Sequence, residues 1–493
     1  MIYEAKVNDL AEEFGVHRNT IRNWINTGVL PAQPGPGRRY LIQWVDYKRL
    51  CDKYGRQPRI VPDADPTIQT DPYPAIPRSS TSTHPPVRLE GKAGNSLYSS
   101  PALADLCVTC GSCAGACPIS GIDDLDPRKI VRMAFLGLEA ELIESDWPWK
   151  CSLCGKCEVV CPMNIEIVQL MRRIRAQRDR DKVPAAVQKG VITCLEKGNN
   201  LGIPKEDFLI LLKGLGKELA QTSCPGFVTP IDVRGARLLV TINSRIPFVE
   251  PDTLSWWWKI LHAAGESWTI SSEYWEGANW GIHASDYKAM RTIVKRIIDN
   301  VERLNCKALL LPECGHAYYA TRYALERWFP EALQQFKMYT LFDLLLEYLN
   351  EQRIQLNPKL HTKQTTFHDS CNYGRHSKKT FGQDYFAEAR ILTQACCKRY
   401  VEMTPNREDN YCCGAGGGAW ADPFRAERVY HGRLKARQIS ESGAKLVVTA
   451  CLNCRDQIQS ALNREFNLRV EVQYLWELIA NSLVLPSPDS ENG

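Results

Sequence analysis

Thirteen of the twenty cysteines fall in three sets whose spacing suits metal ligation. The first is Cys107-V-T-Cys110-G-S-Cys113-A-G-A-Cys117-Pro118, and the second is Cys151-S-L-Cys154-G-K-Cys157-E-V-V-Cys161-Pro162. The third is dispersed: Cys371, then Cys412 and Cys413 in "NYCCGAGGGAW", then Cys451-L-N-Cys454. Disulphide scaffolds belong to small secreted domains, and this chain has 493 residues. Adjacent cysteines also make a strained disulphide, whereas two thiolates reaching one metal assembly have reason to stand side by side.

Each of the first two runs has the C-x-x-C-x-x-C-x-x-x-C-P form of two-cluster bacterial ferredoxins. Three thiolates wrap one corner of a cubane, and the fourth, on the following helix, crosses to the other cluster. Cys107, Cys110, Cys113 and Cys161 are expected on one [4Fe–4S] cluster, and Cys151, Cys154, Cys157 and Cys117 on a second. Structural zinc prefers paired C-x-x-C knuckles to four cysteines in one run. In the third set the five thiolates exceed what a cubane needs, which implies a larger or opened cluster. The glycines after Cys413 fit a helix N-terminal turn whose amides approach cluster sulphides.

The C…CCG…C-x-x-C set following a two-cluster module resembles the CCG domain of heterodisulphide reductases. Residues 100–485 are similar to the D subunit of heterodisulphide reductases and to its DsrK-like relatives. The resemblance implies that Cys371, Cys412, Cys413, Cys451 and Cys454 bind one noncubane [4Fe–4S] cluster that reduces a disulphide or trisulphide. It also implies a quinol-linked, cytochrome b-type membrane partner and a DsrC-like or other disulphide substrate. His316, in "PECGHAYY", is a candidate proton donor there, and His368 stands just before the Cys371 loop. Cys194, Cys224, Cys306, Cys396 and Cys397 have no motif and read as core thiols. An electron-transfer subunit of a flavin-linked dehydrogenase, of the glycolate oxidase or glycerol-3-phosphate dehydrogenase type, shares the module order. In the glycolate oxidase type the last C-x-x-C is degraded, but Cys451 and Cys454 are both present here.

The elements that must position these residues follow from periodicity. Residues 231–350 and 351–485 read as two related α/β halves. "ARLLVTINSR" resembles "TTFHDSCNYGR", "WEGANWGIH" sits where "DNYCCGAGG" sits, and "CKALLLPECGHA" parallels "AKLVVTACLNC". Apolar strands ending just before polar or cysteine-bearing loops place sites at strand carboxyl ends. The first half has lost most ligands: Asn279 and Trp280 replace the paired cysteines, Asn243 or Ser244 the first, and only Cys314 remains. It is expected to be scaffold and pocket wall. A helical ferredoxin domain at 96–182 and a helical connector at 183–230 precede the two halves.

Residues 1–55 resemble the winged helix-turn-helix of the MerR and excisionase group. "VNDLAEEF" and "HRNTIRNWINTG" form its helices, the start of the chain reads as helical, and "LPAQPGPGRRYLI" is a hairpin wing. The group implies DNA contacts through His17, Arg18, Asn19 and Arg22, with Arg38 and Arg39 on phosphates. Glu4, Asp9, Glu12 and Glu13 offset that charge, so docking of a partner protein is the alternative. A redox-sensing regulator is a third reading of the chain, but residues 56–95, rich in Pro, Ser and Thr, make a poor signal transmitter. A net charge of +5 argues against general polyanion binding. Without a secretory signal or an apolar run of ~20 residues, the chain is expected in the cytoplasm, peripheral on the membrane's inner face through a partner.

Overall fold

The computed structural model describes residues 2–35, 39–54, 107–312 and 314–484. Arg38 and the expected tether at 56–95 lie outside the described residues. Chain contacts divide the protein into two units, Met1–Pro72 and Tyr73–Gly493.

In the first unit, helix Val7–Phe14 ends at Gly15, whose φ of 63° lets the chain turn sharply into helix Arg18–Asn26. Leu10, Phe14, Ile21 and Trp24 are buried between them, as helical spacing requires. The wing is present as β2 (Ala32–Pro34) antiparallel to β3 (Tyr40–Gln43), and helix Trp44–Lys53 follows. The extreme amino terminus departs from the helical expectation. Ile2–Ala5 is a strand, β1, paired along the free edge of β3 from Ile2 opposite Gln43 to Ala5 opposite Tyr40. Pairing with a strand some forty residues away overrides the local helical preference.

In the second unit, two short helices, Ser112–Ala116 and Lys156–Val159, carry the cysteine runs. Ile119, Ile130, Val131, Leu170 and Met171 form an apolar shell against which Cys107, Cys113, Cys117, Cys151, Cys157 and Cys161 pack. Helices Ile167–Gln177, Ala185–Lys197 and Lys205–Thr222 lead into two four-stranded parallel sheets.

The first sheet contains β4 (Leu238–Val240), β5 (Trp268–Thr269), β6 (Ala308–Leu310) and β7 (Lys337–Tyr339), ordered β5-β4-β6-β7. The second contains β8 (His361–His368), β9 (Cys397–Tyr400), β10 (Leu446–Thr449) and β11 (Glu471–Tyr474), ordered β9-β8-β10-β11. Both therefore run second, first, third, fourth in chain order. Every residue of β4, β6 and β10 is buried, as expected for parallel strands covered on both faces. Each fully buried Leu or Val there contributes about 1.5–3 kcal/mol. In this order the connections leave the adjacent first and third strands in opposite directions, opening a crevice at their carboxyl ends. Cys371 lies just past β8 and Cys451 just past β10, and these strands are paired with His368 opposite Thr449.

Candidate metal centres

The two cysteine runs exchange their fourth members. A cleft of about 340 Å³ is lined by Cys107, Cys110, Cys113 and Cys161, and another of about 400 Å³ by Cys117, Cys151, Cys154 and Cys157. These are the two groupings that the spacing predicts. Cys117 follows the short helix that begins before Cys113, so the helix end carries it away from its own run.

The dispersed cysteines also converge. Cys413 and Cys454 lie with their Sγ atoms 3.3 Å apart. Cys412 touches Cys371 and Cys413, and Cys454 touches Cys451. Cys412, Cys413, Cys451 and Cys454 are buried, and Cys371 is partly so. The neighbouring thiols Cys412 and Cys413 touch each other, and each meets its own further partners. Cys412 meets Cys154 of the ferredoxin region, with both sulphurs and a His431 ring nitrogen within 4.8 Å of one another. Cys413 meets Cys454 and His368 within the same limit.

Contact between thiols splits their acidities. Cys154 is held low by the Cys412 thiol, Cys413 by Cys412 and Cys454, and Cys451 by Cys314 and Cys454. Cys412 and Cys454 are driven up by the same contacts. Buried thiolates packed this closely are stable together only when cations stand among them. His368 is fully buried, and its ring meets the Cys413 thiol but no oxygen or nitrogen partner. Buried imidazoles are rarely left unsatisfied, and a sulphide-bearing metal group beside Cys413 would supply the acceptor. The donor set therefore fits an iron–sulphur group.

Two buried arginines fix this arrangement through main-chain oxygens. Arg175 donates from Nη1 to His283 O (3.0 Å) and Gly417 O (2.5 Å), and from Nη2 to Cys151 O and Pro148 O (both 2.8 Å). Arg375 donates from Nε to Cys154 O (3.1 Å), from Nη1 to Asn410 O (2.7 Å) and from Nη2 to Cys371 Sγ (3.5 Å). One guanidinium thus ties the Cys151 loop to the glycine run and the first half; the other ties the Cys154 main chain to the Cys371 loop. After Cys371 the chain makes a wide turn closed by His376 N to Cys371 O (3.0 Å), and His376 Nε2 meets Leu153 O at 2.6 Å.

The glycine run differs from its expectation. Residues 414–424 form turns, and the next helix starts only at Arg425. The glycines are required by neighbouring chain. A Cβ at Gly416 would sit 2.6 Å from Ser152 O, one at Gly417 2.8 Å from Ser152 C, and one at Gly414 2.5 Å from Arg428 O. Removing side chains lets the ferredoxin backbone come against the Cys412–Cys413 loop, and Ser152 Oγ reaches Cys412 Sγ at 3.8 Å.

His316 is placed beside the site but in a form unlike the expected acid. Its Nε2 lies 3.1 Å from Asn279 O, its ring stacks on His283 at 4.0 Å, and burial lowers its pKa to about 4. It is therefore a neutral imidazole at neutral pH. In the first half, Asn279 is buried and bonds Met290 O, while Trp280 starts a short helix, so the paired-cysteine position is filled by scaffold contacts. Cys194, Cys224, Cys306, Cys396 and Cys397 are buried, and Cys194 meets Glu276 at 3.6 Å. On the first unit, His17, Arg18, Asn19, Arg22 and Arg39 are all exposed. Asn19 Oδ1 accepts from Arg22 Nη1 at 3.4 Å.

Three segments match family models: a 4Fe-4S dicluster domain at 103–165, a cysteine-rich domain at 365–459 and a helix-turn-helix domain at 6–43. The chain resembles the iron–sulphur subunits of heterodisulphide-reductase-like oxidoreductases. The Hdr-like menaquinol oxidoreductase iron-sulfur subunit 2 of Archaeoglobus fulgidus is 24% identical over 456 residues, covering 77% of this chain and 80% of that one. The D subunit of the dihydromethanophenazine:CoB–CoM heterodisulfide reductase of Methanosarcina barkeri is 22% identical, covering 77% and 94%. A probable membrane-anchored ferredoxin of Chromohalobacter salexigens is 20% identical, covering 77% and 60%. Among the described residues, no helix is long and apolar enough to cross a membrane.

Sequence reading missed Arg175, Arg375, Ser152 and His431, whose partners are main-chain atoms or cysteines far away in the chain. It also left Cys314 without a role, although Cys314 touches Cys451. Its position after a strand equivalent to the one before Cys451 was the available signal.

Proposed function

We propose that this protein is the catalytic iron–sulphur subunit of an oxidoreductase. In this reading, electrons would pass through two [4Fe–4S] cubanes to a five-cysteine noncubane [4Fe–4S] cluster, where a disulphide or trisulphide would be reduced. One observation carries it: an unbroken run of sulphur contacts leads from Cys154 through Cys412, Cys413 and Cys454 to Cys451.

Cys107, Cys110, Cys113 and Cys161 would hold one cubane, Cys151, Cys154, Cys157 and Cys117 the other. Cys371, Cys412, Cys413, Cys451 and Cys454 would hold the third cluster. When bound, the clusters supply single electrons and open iron sites for the sulphurs of the cleaved bond. The protein's part is positional. Arg175 and Arg375 hold the ferredoxin loop against both cysteine loops, and the glycines permit that approach. His368 orients sulphur beside Cys413, and His316 and His283 form a wall of the site as neutral rings.

The remaining divisions belong to the same reading. The domains are 1–55, 96–182, 183–230, 231–350 and 351–485, with a linker at 56–95. The shared strand order of the two sheets supports a duplication whose first half became scaffold. The partners would be a quinol-linked cytochrome b-type membrane subunit and a DsrC-like or other disulphide substrate. The exposed Arg18, Asn19, Arg22 and Arg39 are the DNA contacts this reading would test on the first unit.

The deciding experiment is Cys413→Ala in the iron-loaded full chain. Disulphide reduction with an artificial electron donor should vanish, while both cubane signals persist in electron paramagnetic resonance. Undiminished reduction would refute the assignment.

A further inference from the structure

The first half keeps one thiol at the site. Cys314 follows β6 and caps the amino terminus of helix Gly315–Trp328, and it is 4% exposed. The helix start is driven into the second half. A Cβ at Gly315 would lie 2.9 Å from Tyr373 Cδ2 and 3.1 Å from Tyr373 N, within the turn that follows Cys371. On its other side, His316 stacks on His283, and a Cβ at Gly418 would lie 3.3 Å from His283 Cβ. Cluster loops of the second half thus clamp this loop from two directions. Inside the clamp the Cys314 thiol meets Cys451. Cys194, by contrast, is turned to Glu276.

Resting on the five-cysteine reading above, we infer that Cys314 is a sixth sulphur donor to that same iron assembly. It is contributed by the half whose own cysteine set is gone. Two features suit it to the role. It ends the contact row that begins at Cys154, touching Cys451, which in turn touches Cys454. It also stands at the amino terminus of a fourteen-residue helix, which fixes its backbone at the edge of the site. The first half would then be part of the metal site, and loss of its C-x-x-C partner would leave a single donor where the wall closes.

The test uses the full chain reconstituted with iron and sulphide, as wild type, Cys314→Ala and Cys314→Ser. Mössbauer and electron paramagnetic resonance spectra are recorded with and without added dithiothreitol. The expected result is unchanged cubane signals and a shift in the third cluster's g-values and hyperfine pattern. The shift should be smaller for Ser, and dithiothreitol should move the Ala spectrum back toward wild type. Third-cluster spectra superimposable on wild type in both variants would overturn the inference and leave the five-cysteine reading standing. A wild-type protein showing cubane signals alone would overturn that reading and this inference together. If Ala loses all clusters through misfolding, the Ser variant, altered by one atom, carries the comparison. Loss of every signal in both would assign Cys314 a structural role instead.

Discussion

The thiols of Cys154 and Cys412, one from the ferredoxin region and one from the cysteine-rich half, stand in contact, with their sulphurs no more than 4.8 Å apart. A ligand of one expected cluster thus touches a ligand of the next without intervening side chains. Replacing Cys154 with Ala should erase the signal of the second cubane and stop reduction of the third cluster by an external donor. The third cluster itself should still assemble. Freeze-quench spectroscopy after mixing with dithionite checks this, and rapid reduction of the third cluster would show another route.

Arg175 has no exposed surface and donates to four backbone oxygens in three segments. Arg175→Met should leave those carbonyls buried and unpaired, costing at least about 3 kcal/mol given ~1–3 kcal/mol per orphaned group. The midpoint of denaturant unfolding should fall, and the Cys154-to-Cys412 electron step should slow. An unchanged midpoint would show that the loops are held by packing alone.

Glycine substitutions separate close approach from helix propensity. Gly416→Ala forces a methyl to within 2.6 Å of Ser152 O and should destabilise by about 1–3 kcal/mol. Gly214→Ala, within helix Lys205–Thr222, meets nothing within 4 Å and should stabilise by up to about 1 kcal/mol. Thermal unfolding of the two variants distinguishes the cases. Equal effects would show that the glycine run serves no packing purpose.

Glu276 carries a pH signature outside the cysteine sites. Burial raises its carboxyl to about 7, although it accepts from Ser244 N (3.2 Å) and Ser244 Oγ (2.9 Å). The folded protein therefore holds a proton that the unfolded chain has released between the ordinary carboxyl value and about pH 7. Stability should decline across that window as pH rises, by about 3 kcal/mol at 1.36 kcal/mol per unit, and level off above it. Glu276→Gln should remove its share of the decline in urea titrations from pH 5 to 8 (about three units), leaving the shares of Asp422 and Glu477, whose carboxyls burial also raises to about 7. Superimposable profiles for wild type and Glu276→Gln would mean that Glu276 stays ionised in the fold.

Much of this was legible in the sequence because metal ligation leaves short, type-specific patterns. Cys107 to Cys161 gave both groupings, and the apolar runs before Cys371 and Cys451 gave the two strands that border the crevice. What stayed hidden depends on long-range main-chain contact. Nothing local marks Arg175 as the partner of Gly417, or Gly416 as the neighbour of Ser152, since the contacts involve backbone atoms that every residue possesses. Ile2–Ala5 was missed for a related reason, because its strand state depends on the open edge of β3. His316 lies near Cys451, but its neutral state comes from burial that no spacing encodes.

Crystals of the anaerobically purified, iron-loaded chain, with anomalous diffraction recorded at the iron edge, test the central claim most directly. The account expects three separate iron peaks: two in the ferredoxin clefts and one bounded by Cys371, Cys412, Cys413, Cys451 and Cys454. A map with iron in the first two and none among the five cysteines would contradict it.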